Sequence, residues 1–228
     1  MKGMRFGGLQ KTSLIDFPDR VSTVLFTSGC NLRCPFCHNW RLVVKKDIPS
    51  IPENLILDFL ISRKNFIKSV VITGGEPAAQ SDLSNFLRKL KEKEFNVKLD
   101  TNGFFPKAIQ KCVNYLDYIS VDLKTSLEKY VLLGANDTSN LLKTIEIIKA
   151  GNVDYEFRTT VVPGFVDKVT ISKIGRIVNG SRRYALQQFL PDDTLDVAFR
   201  KVKPYSSSTI ASLADILKKH VKEIIIRV

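Results

Sequence analysis

The sequence predicts an α/β fold: a partial, open parallel β/α barrel of about six βα units, with a C-terminal helix and strand. Three observations predict it. Short runs rich in β-branched and aromatic residues alternate with segments whose apolar residues recur at helical spacing, the pattern of a parallel sheet covered by helices. The residues with unusual chemistry fall directly after the strand runs, where parallel barrels place their sites. The chain has 228 residues, which suits six or so such units better than a closed eight-fold barrel.

Residues 7–20 read as an irregular lead-in with a turn at 16–19. Residues 21–27 form the first strand. Ser50-Ile-Pro-Glu53 resembles a capping box with Pro52 just inside a helix that carries Leu55, Ile56, Phe59 and Leu60. Residues 69–73 are a short apolar strand. Ser81 and Asp82 cap a helix with Leu83, Phe86, Leu87 and Leu90 on its inner face. A third strand at 96–101, a short helix at 106–114 and a fourth strand at 118–122 follow. Thr138 caps a helix bearing Leu141, Leu142, Ile145 and Ile148, closed by Gly151. A strand at 155–162, a helix at 169–179 and a strand at 184–189 complete the barrel units. Ser207 caps a last helix with Ile210, Leu213, Ala214 and Leu217, and 221–228 is the final strand. No linker or low-complexity tract interrupts this order. One domain over 1–228 is expected, with a lead-in at 1–20, a barrel core at 21–206 and a C-terminal helix and strand at 207–228.

Composition narrows the class. No apolar run approaches the ~20 residues of a membrane span, and the N-terminus lacks the apolar core of a signal peptide. A soluble cytoplasmic protein with no membrane contact is expected. Four cysteines, three of them within eight residues, do not make a disulfide scaffold. The formal net charge is +12, but the lysines are interleaved with glutamates on helices, as at 87–94. Solvated helix faces account for them better than a nucleic-acid surface, and a basic face also suits an acidic protein partner.

The chemistry centres on Cys30, Cys34 and Cys37, spaced three and two residues apart in one loop after the first strand. Structural zinc is closed by four ligands. Three thiolates on a four-iron cube leave one iron open. Phe36 stands ready to shield a sulfide face. Cys112 sits alone in a helix and reads as a small buried apolar residue; His38 reads as hydrogen-bonded rather than ligating. Other marks end the later strands. Gly74 and Gly75 allow close backbone approach to a ligand, and Glu76 offers an acceptor for an ammonium group. Asp100 and Asp122 sit on neighbouring strand ends, where two carboxylates need a cation or donors. The alternatives are an Asx-turn for Asp100 and a salt bridge from Asp122 to Lys124. Arg158, inside a strand, needs a partner, either a ligand or an ion pair.

The cysteine pattern resembles that of the radical S-adenosylmethionine (SAM) enzymes. Within them, several stretches resemble the glycyl-radical-enzyme activases, above all the activating proteins of anaerobic ribonucleoside-triphosphate reductases. These are Gly-Leu-Gln-Lys-Thr-Ser-Leu-Ile-Asp-Phe-Pro at 8–18, Cys-Pro-Phe-Cys-His-Asn at 34–39, Thr-Gly-Gly-Glu-Pro at 73–77, Leu-Asp-Thr-Asn-Gly at 99–103, Val-Asp-Leu-Lys at 121–124 and Val-Val-Pro-Gly at 161–164. The resemblance implies a 4Fe–4S cluster on Cys30, Cys34 and Cys37, with SAM on the open iron. It places Gly74, Gly75 and Glu76 at the SAM amino group and Lys124 near its carboxylate. Phe36, Asp100, Asn102 and Arg158 become further cofactor contacts, and Asp100 with Asp122 a monovalent-cation site. Reductive cleavage of SAM would give a 5′-deoxyadenosyl radical that takes hydrogen from a glycine of a partner enzyme. Asp16 would face the partner's glycine loop, and flavodoxin or ferredoxin would supply the electron. Two positions depart from the family: Asp19 stands where glycine is usual, and Leu-Pro-Asp-Asp at 190–193 lacks a histidine found in formate-lyase activases. A radical SAM enzyme acting on a small molecule or tRNA, similar to 7-carboxy-7-deazaguanine synthase, is the alternative. A non-catalytic metal module is the alternative of another class.

Overall fold

A computed structural model describes residues 3–45 and 47–228. Among the described residues, eight strands form one sheet in chain order. β1 (Phe6–Phe17) runs antiparallel to β2 (Arg20–Thr27). β3 (Ser69–Gly74), β4 (Asn96–Thr101), β5 (Tyr118–Asp122), β6 (Asp154–Val161), β7 (Ser181–Gln188) and β8 (Val221–Arg227) then add in parallel. β1 and β8 stand at the two ends of the order, so the barrel is open. The helices are α1 (Trp40–Val44), α2 (Glu53–Ser62), α3 (Leu83–Glu92), α4 (Pro106–Cys112), α5 (Ser139–Ala150), α6 (Lys168–Ile177) and α7 (Ser207–Leu217). Among the described residues, no helix is long and apolar enough to cross a membrane.

The lead-in is a correction: residues 7–20 are not irregular but supply most of the twelve-residue β1. Its sequence conceals this because the ladder breaks register between Phe6 and Gly8, Gln10 and Ser13, and Ser13 and Phe17. Each break resets the inside–outside alternation, so no period of two survives in the sequence. The predicted turn is a tight hairpin. Phe17 pairs with Arg20, leaving Pro18 and Asp19 as the loop, and Asp19 takes φ 58°. That left-handed position is where glycine carries least strain, so aspartate is accommodated there at modest cost.

Helix ends also differ in detail. Pro52 is the cap residue of α2 and makes no side-chain cap bond; the expected capping box is absent because the helix begins only at Glu53, which leaves Ser50 outside it and puts Pro52, without an N–H, at the cap. Asp82 and Thr138 occupy cap positions without side-chain bonds. Asp137 instead accepts from the Ser139 backbone at 2.8 Å. Ser206, not Ser207, caps α7 by accepting from the Thr209 backbone at 3.2 Å. Gly151 ends α5 with φ −82°, an ordinary extended conformation.

Strand side chains alternate between two environments. Leu25, Ile72, Leu99, Ile119 and Phe157 face the helices and are fully buried in the main core. On the other face, Val24, Val71 and Tyr118 pack with Phe17 as a small apolar floor inside the barrel. The same inward face carries Lys98, Asp100, Ser120, Asp122, Glu156 and Arg158 on β4 to β6, so the interior beyond that floor is polar and charged.

Candidate active site

A cavity of 270 Å³ lies at the C-terminal ends of the parallel strands, and every predicted site residue except Glu76 lines it. The cysteine loop forms one wall and is held from several sides. Gly29 N donates to Leu42 O at 2.7 Å, and Arg33 N donates to Leu133 O at 2.8 Å. Asp196 N donates to Pro35 O at 2.8 Å, and Leu195 N donates to Cys37 O at 3.2 Å. Phe36 is buried, edge-on to Phe165 at 5.1 Å and tilted against Phe199 at 6.1 Å. The His38 ring stacks on Phe189 and donates through Nε2 to Leu190 O at 2.7 Å, which is a structural bond.

The strap at 193–199 escaped sequence reasoning. Asp193 accepts from Trp40 Nε1 at 3.2 Å, from Arg41 and from Arg200 at 3.2 Å. It clasps α1 just after the last cysteine. The visible signal was Asp192-Asp193 after Leu-Pro, but its partners Trp40 and Arg41 lie more than 150 residues away.

Gly74, Gly75 and Glu76 are placed together; the two glycines line the cavity and Glu76 does not. On the side where each glycine would carry a Cβ, protein backbone fills the space. A Cβ on Gly75 would sit 2.0 Å from Gly29 O, and one on Gly74 2.5 Å from Thr27 N. The two loops continue the β2–β3 pairing, with Gly75 N donating to Thr27 O and Glu76 N to Gly29 O, both at 2.8 Å. The Glu76 carboxylate is likewise engaged inside the protein. It accepts from Thr101 Oγ1 at 2.7 Å, Asn102 N at 2.6 Å and Ala78 N at 2.9 Å, and is buried away from the cavity. It therefore joins the β3 loop to the β4 loop and is not free to receive an ammonium group. Burial pushes its pKa up to about 7 against those three donors.

Asp100 and Asp122 meet protein cations. Asp100 accepts from Lys98 Nζ at 2.6 Å and Arg158 Nη2 at 3.3 Å. Asp122 accepts from Arg158 Nε at 2.6 Å and Lys124 Nζ at 3.2 Å. Burial opposes ionisation of both carboxylates, but these cations outweigh it and hold both below the usual aspartate range. Burial also opposes the charge of Lys124, yet the neighbouring Asp122 keeps its pKa above the ordinary lysine value. Lys98 was not singled out from sequence. The available signal was a lysine inside a strand core, two residues before Asp100 and so on the same face. The Asx-turn expected as one alternative at Asp100 occurs at Asn102, whose Oδ1 accepts from Phe104 N at 3.1 Å. Asn102 Nδ2 donates to Asn31 at 2.7 Å and toward Cys30 Sγ at 3.6 Å.

Asp16 also lines the cavity, its carboxylate held by Ser13 Oγ at 2.5 Å. Cys112 is buried in the helix-facing core and is not among the cavity-lining residues. Burial pushes the Cys34 thiol up to about 12 and raises Cys30 and Cys37 as well. These thiols become thiolates when a metal displaces the protons. Among the described residues, no three His, Cys, Asp or Glu side chains converge on a single ion. Three soft donors spread along one wall fit a polynuclear iron–sulfur group better than one zinc ion.

Comparison with known proteins agrees with this geometry. The profile of the radical SAM superfamily matches residues 24–171. A Methanocaldococcus jannaschii protein, provisionally named a glycyl-radical enzyme activating enzyme, is 35% identical over 96% of this chain and 94% of its own length. The pyruvate formate-lyase-activating enzyme of Clostridium pasteurianum is 28% identical over 85% of this chain and 84% of its length. Among solved structures, Streptococcus suis SuiB bound to its precursor peptide SuiA superposes with a TM-score of 0.69 at 18% identity, covering 89% of this chain and 48% of SuiB. This chain thus spans about half of SuiB, and the likeness concerns the fold. TYW1 with a lysine-pyruvate adduct gives a TM-score of 0.65 at 17% identity, covering 87% of this chain and 73% of that one. Membership of the superfamily implies SAM and a 4Fe–4S cluster as cofactors. The chain belongs to the radical SAM superfamily and, within it, to the glycyl-radical-enzyme activating enzymes.

Proposed function

We propose that this chain activates anaerobic ribonucleotide reductase by generating a glycyl radical on it. One observation carries the reading: three thiols and the Lys124–Asp122–Arg158 ion-pair chain line one cavity in a chain whose relatives over most of its length are named as activases. When bound, the cluster and SAM supply a 5′-deoxyadenosyl radical by one-electron reductive cleavage, and that radical takes a hydrogen atom from the partner's glycine.

The chain's own residues hold and shelter this chemistry. Cys30, Cys34 and Cys37 would carry the cluster. Lys124, charged and at the cavity wall, would pair with the methionine carboxylate of SAM. Asn102 orients toward the Cys30 sulfur, a contact of the kind that tunes cluster potential. Phe36, packed against Phe165 and Phe199, would limit water at the cysteine loop. Asp16 would meet the partner's glycine loop. The basic surface would suit an acidic electron donor such as flavodoxin or ferredoxin.

The test is anaerobic. Iron and sulfide are reconstituted, dithionite and SAM are added, and 5′-deoxyadenosine is measured with a Cys34→Ala control. The reductase is then added and its glycyl radical sought by electron paramagnetic resonance. Deoxyadenosine that depends on Cys34 but never yields a radical on the reductase refutes the partner while leaving the cofactor chemistry standing.

A further inference from the structure

Lys98 sits in the middle of β4, 2% exposed and pointing into the barrel. Lysine is almost never fully buried unless paired, and here the partner is specific. Nζ lies 2.6 Å from Asp100 Oδ1 and 6.0 Å from the centre of the Tyr118 ring. From there the charges run in an unbroken alternating chain. Asp100 Oδ2 meets Arg158 Nη2 at 3.3 Å, Arg158 Nε meets Asp122 Oδ1 at 2.6 Å, and Asp122 Oδ2 meets Lys124 Nζ at 3.2 Å. Each of the four carboxylate oxygens thus has one cationic donor.

This arrangement does not fit a dissociable monovalent ion. A hard cation takes oxygen ligands, and both carboxylates already direct their oxygens at fixed nitrogen donors. The ion would also enter among three positive side chains facing two negative ones. The five groups carry a net charge of +1, and an anionic ligand group beside Lys124 completes the balance with no ion added.

We infer that Lys98 is an internal cation that takes the place of a bound monovalent ion, so that the anionic end of the ligand binds without added sodium or potassium. This rests on the reading of the cavity as the SAM site. Lys98 is a positioning residue: it fixes Asp100, which fixes Arg158, which with Lys124 holds Asp122. Without the Lys98 charge, one Asp100 oxygen is left uncovered in a buried site, and a small cation becomes the natural substitute.

The experiment is a SAM-binding titration of the cluster-loaded protein and of Lys98→Met. Tetramethylammonium, sodium and potassium chlorides are compared at equal ionic strength of about 0.1 M, so that screening is constant. The native protein is expected to bind SAM with the same Kd, within about twofold, in all three salts. Lys98→Met is expected to bind at least about tenfold more weakly in tetramethylammonium and to recover in sodium or potassium. Native binding that needs sodium or potassium overturns the inference, and so does a folded Lys98→Met whose loss no ion rescues. If the variant does not fold, the native salt series alone decides. Native protein that binds no SAM in any salt refutes the underlying reading of the site instead.

Discussion

Gly75→Ala tests how closely the β3 loop and the cysteine loop depend on a glycine at their contact. The new Cβ would lie 2.0 Å from Gly29 O and 2.7 Å from Gly29 C, where real Cβ atoms essentially never approach within 3.0 Å. The obstacle is backbone on both sides, so no rotamer change relieves it. The β3 loop and the cysteine loop must part by about 1 Å, a shift that by overpacking alone costs ~1–3 kcal/mol. Parting them also weakens the Gly75 N to Thr27 O and Glu76 N to Gly29 O bonds, both 2.8 Å, each worth about 1 kcal/mol net. A total loss of about 3–5 kcal/mol follows, a large share of the ~5–15 kcal/mol that holds a domain together. The assay is urea unfolding followed by circular dichroism, with iron content measured after anaerobic reconstitution. The expected result is a lowered midpoint and reduced iron, because the displaced strand end carries the cysteine loop with it. A variant with unchanged stability and full iron that has lost only SAM affinity would sink this reasoning.

Three further outcomes are expected. Arg227→Met removes the pair of bonds, 2.9 and 2.7 Å, that Arg227 makes to the fully buried Glu156. It should lower stability by about 2–4 kcal/mol, somewhat below a wholly buried pair because Arg227 is one-third exposed. Adding Glu156→Gln should restore most of that loss in the same urea assay. Because burial raises the thiols of Cys30, Cys34 and Cys37, Cys34 to about 12, iron bound there would have to displace their protons. Loading should therefore rise with pH and release protons, measurable by iron titration in weakly buffered solution. Asp100 and Asp122 are held below the usual aspartate range, so their stabilising contribution is complete above the unfolded aspartate pKa of about 4 and is lost as pH falls below it. The urea midpoint should drop on acidification through that range, and the drop should be shallower in Asp122→Asn, whose stability at neutral pH is already reduced.

The legible features were local ones. The cysteine spacing places three thiols in one loop whatever surrounds it, and β2 to β8 announce themselves through short runs rich in apolar and β-branched residues. β1 was hidden because its register breaks erase alternation, and because an antiparallel edge strand needs no apolar run. Lys98 was hidden for a different reason. A lysine in a strand reads as solvent-facing until the neighbouring strands bring Asp100 and Arg158 around it, the latter from 58 residues beyond Asp100.

From the sequence alone come the alternating architecture, the thiol triad and the gathering of chemistry at the strand ends, because period and spacing are properties of neighbouring residues. Apart from the Asp122–Lys124 pair, which the sequence offered as an alternative, the partners of those chemical groups came only from the tertiary structure. Gly75 is filled by Gly29, Glu76 is engaged by Thr101 and Asn102, and the two aspartates are covered by Lys98, Arg158 and Lys124. The reason is physical: a buried polar group must find its hydrogen bonds and countercharges wherever the fold brings them, and in a parallel sheet those groups arrive from strands dozens of residues apart.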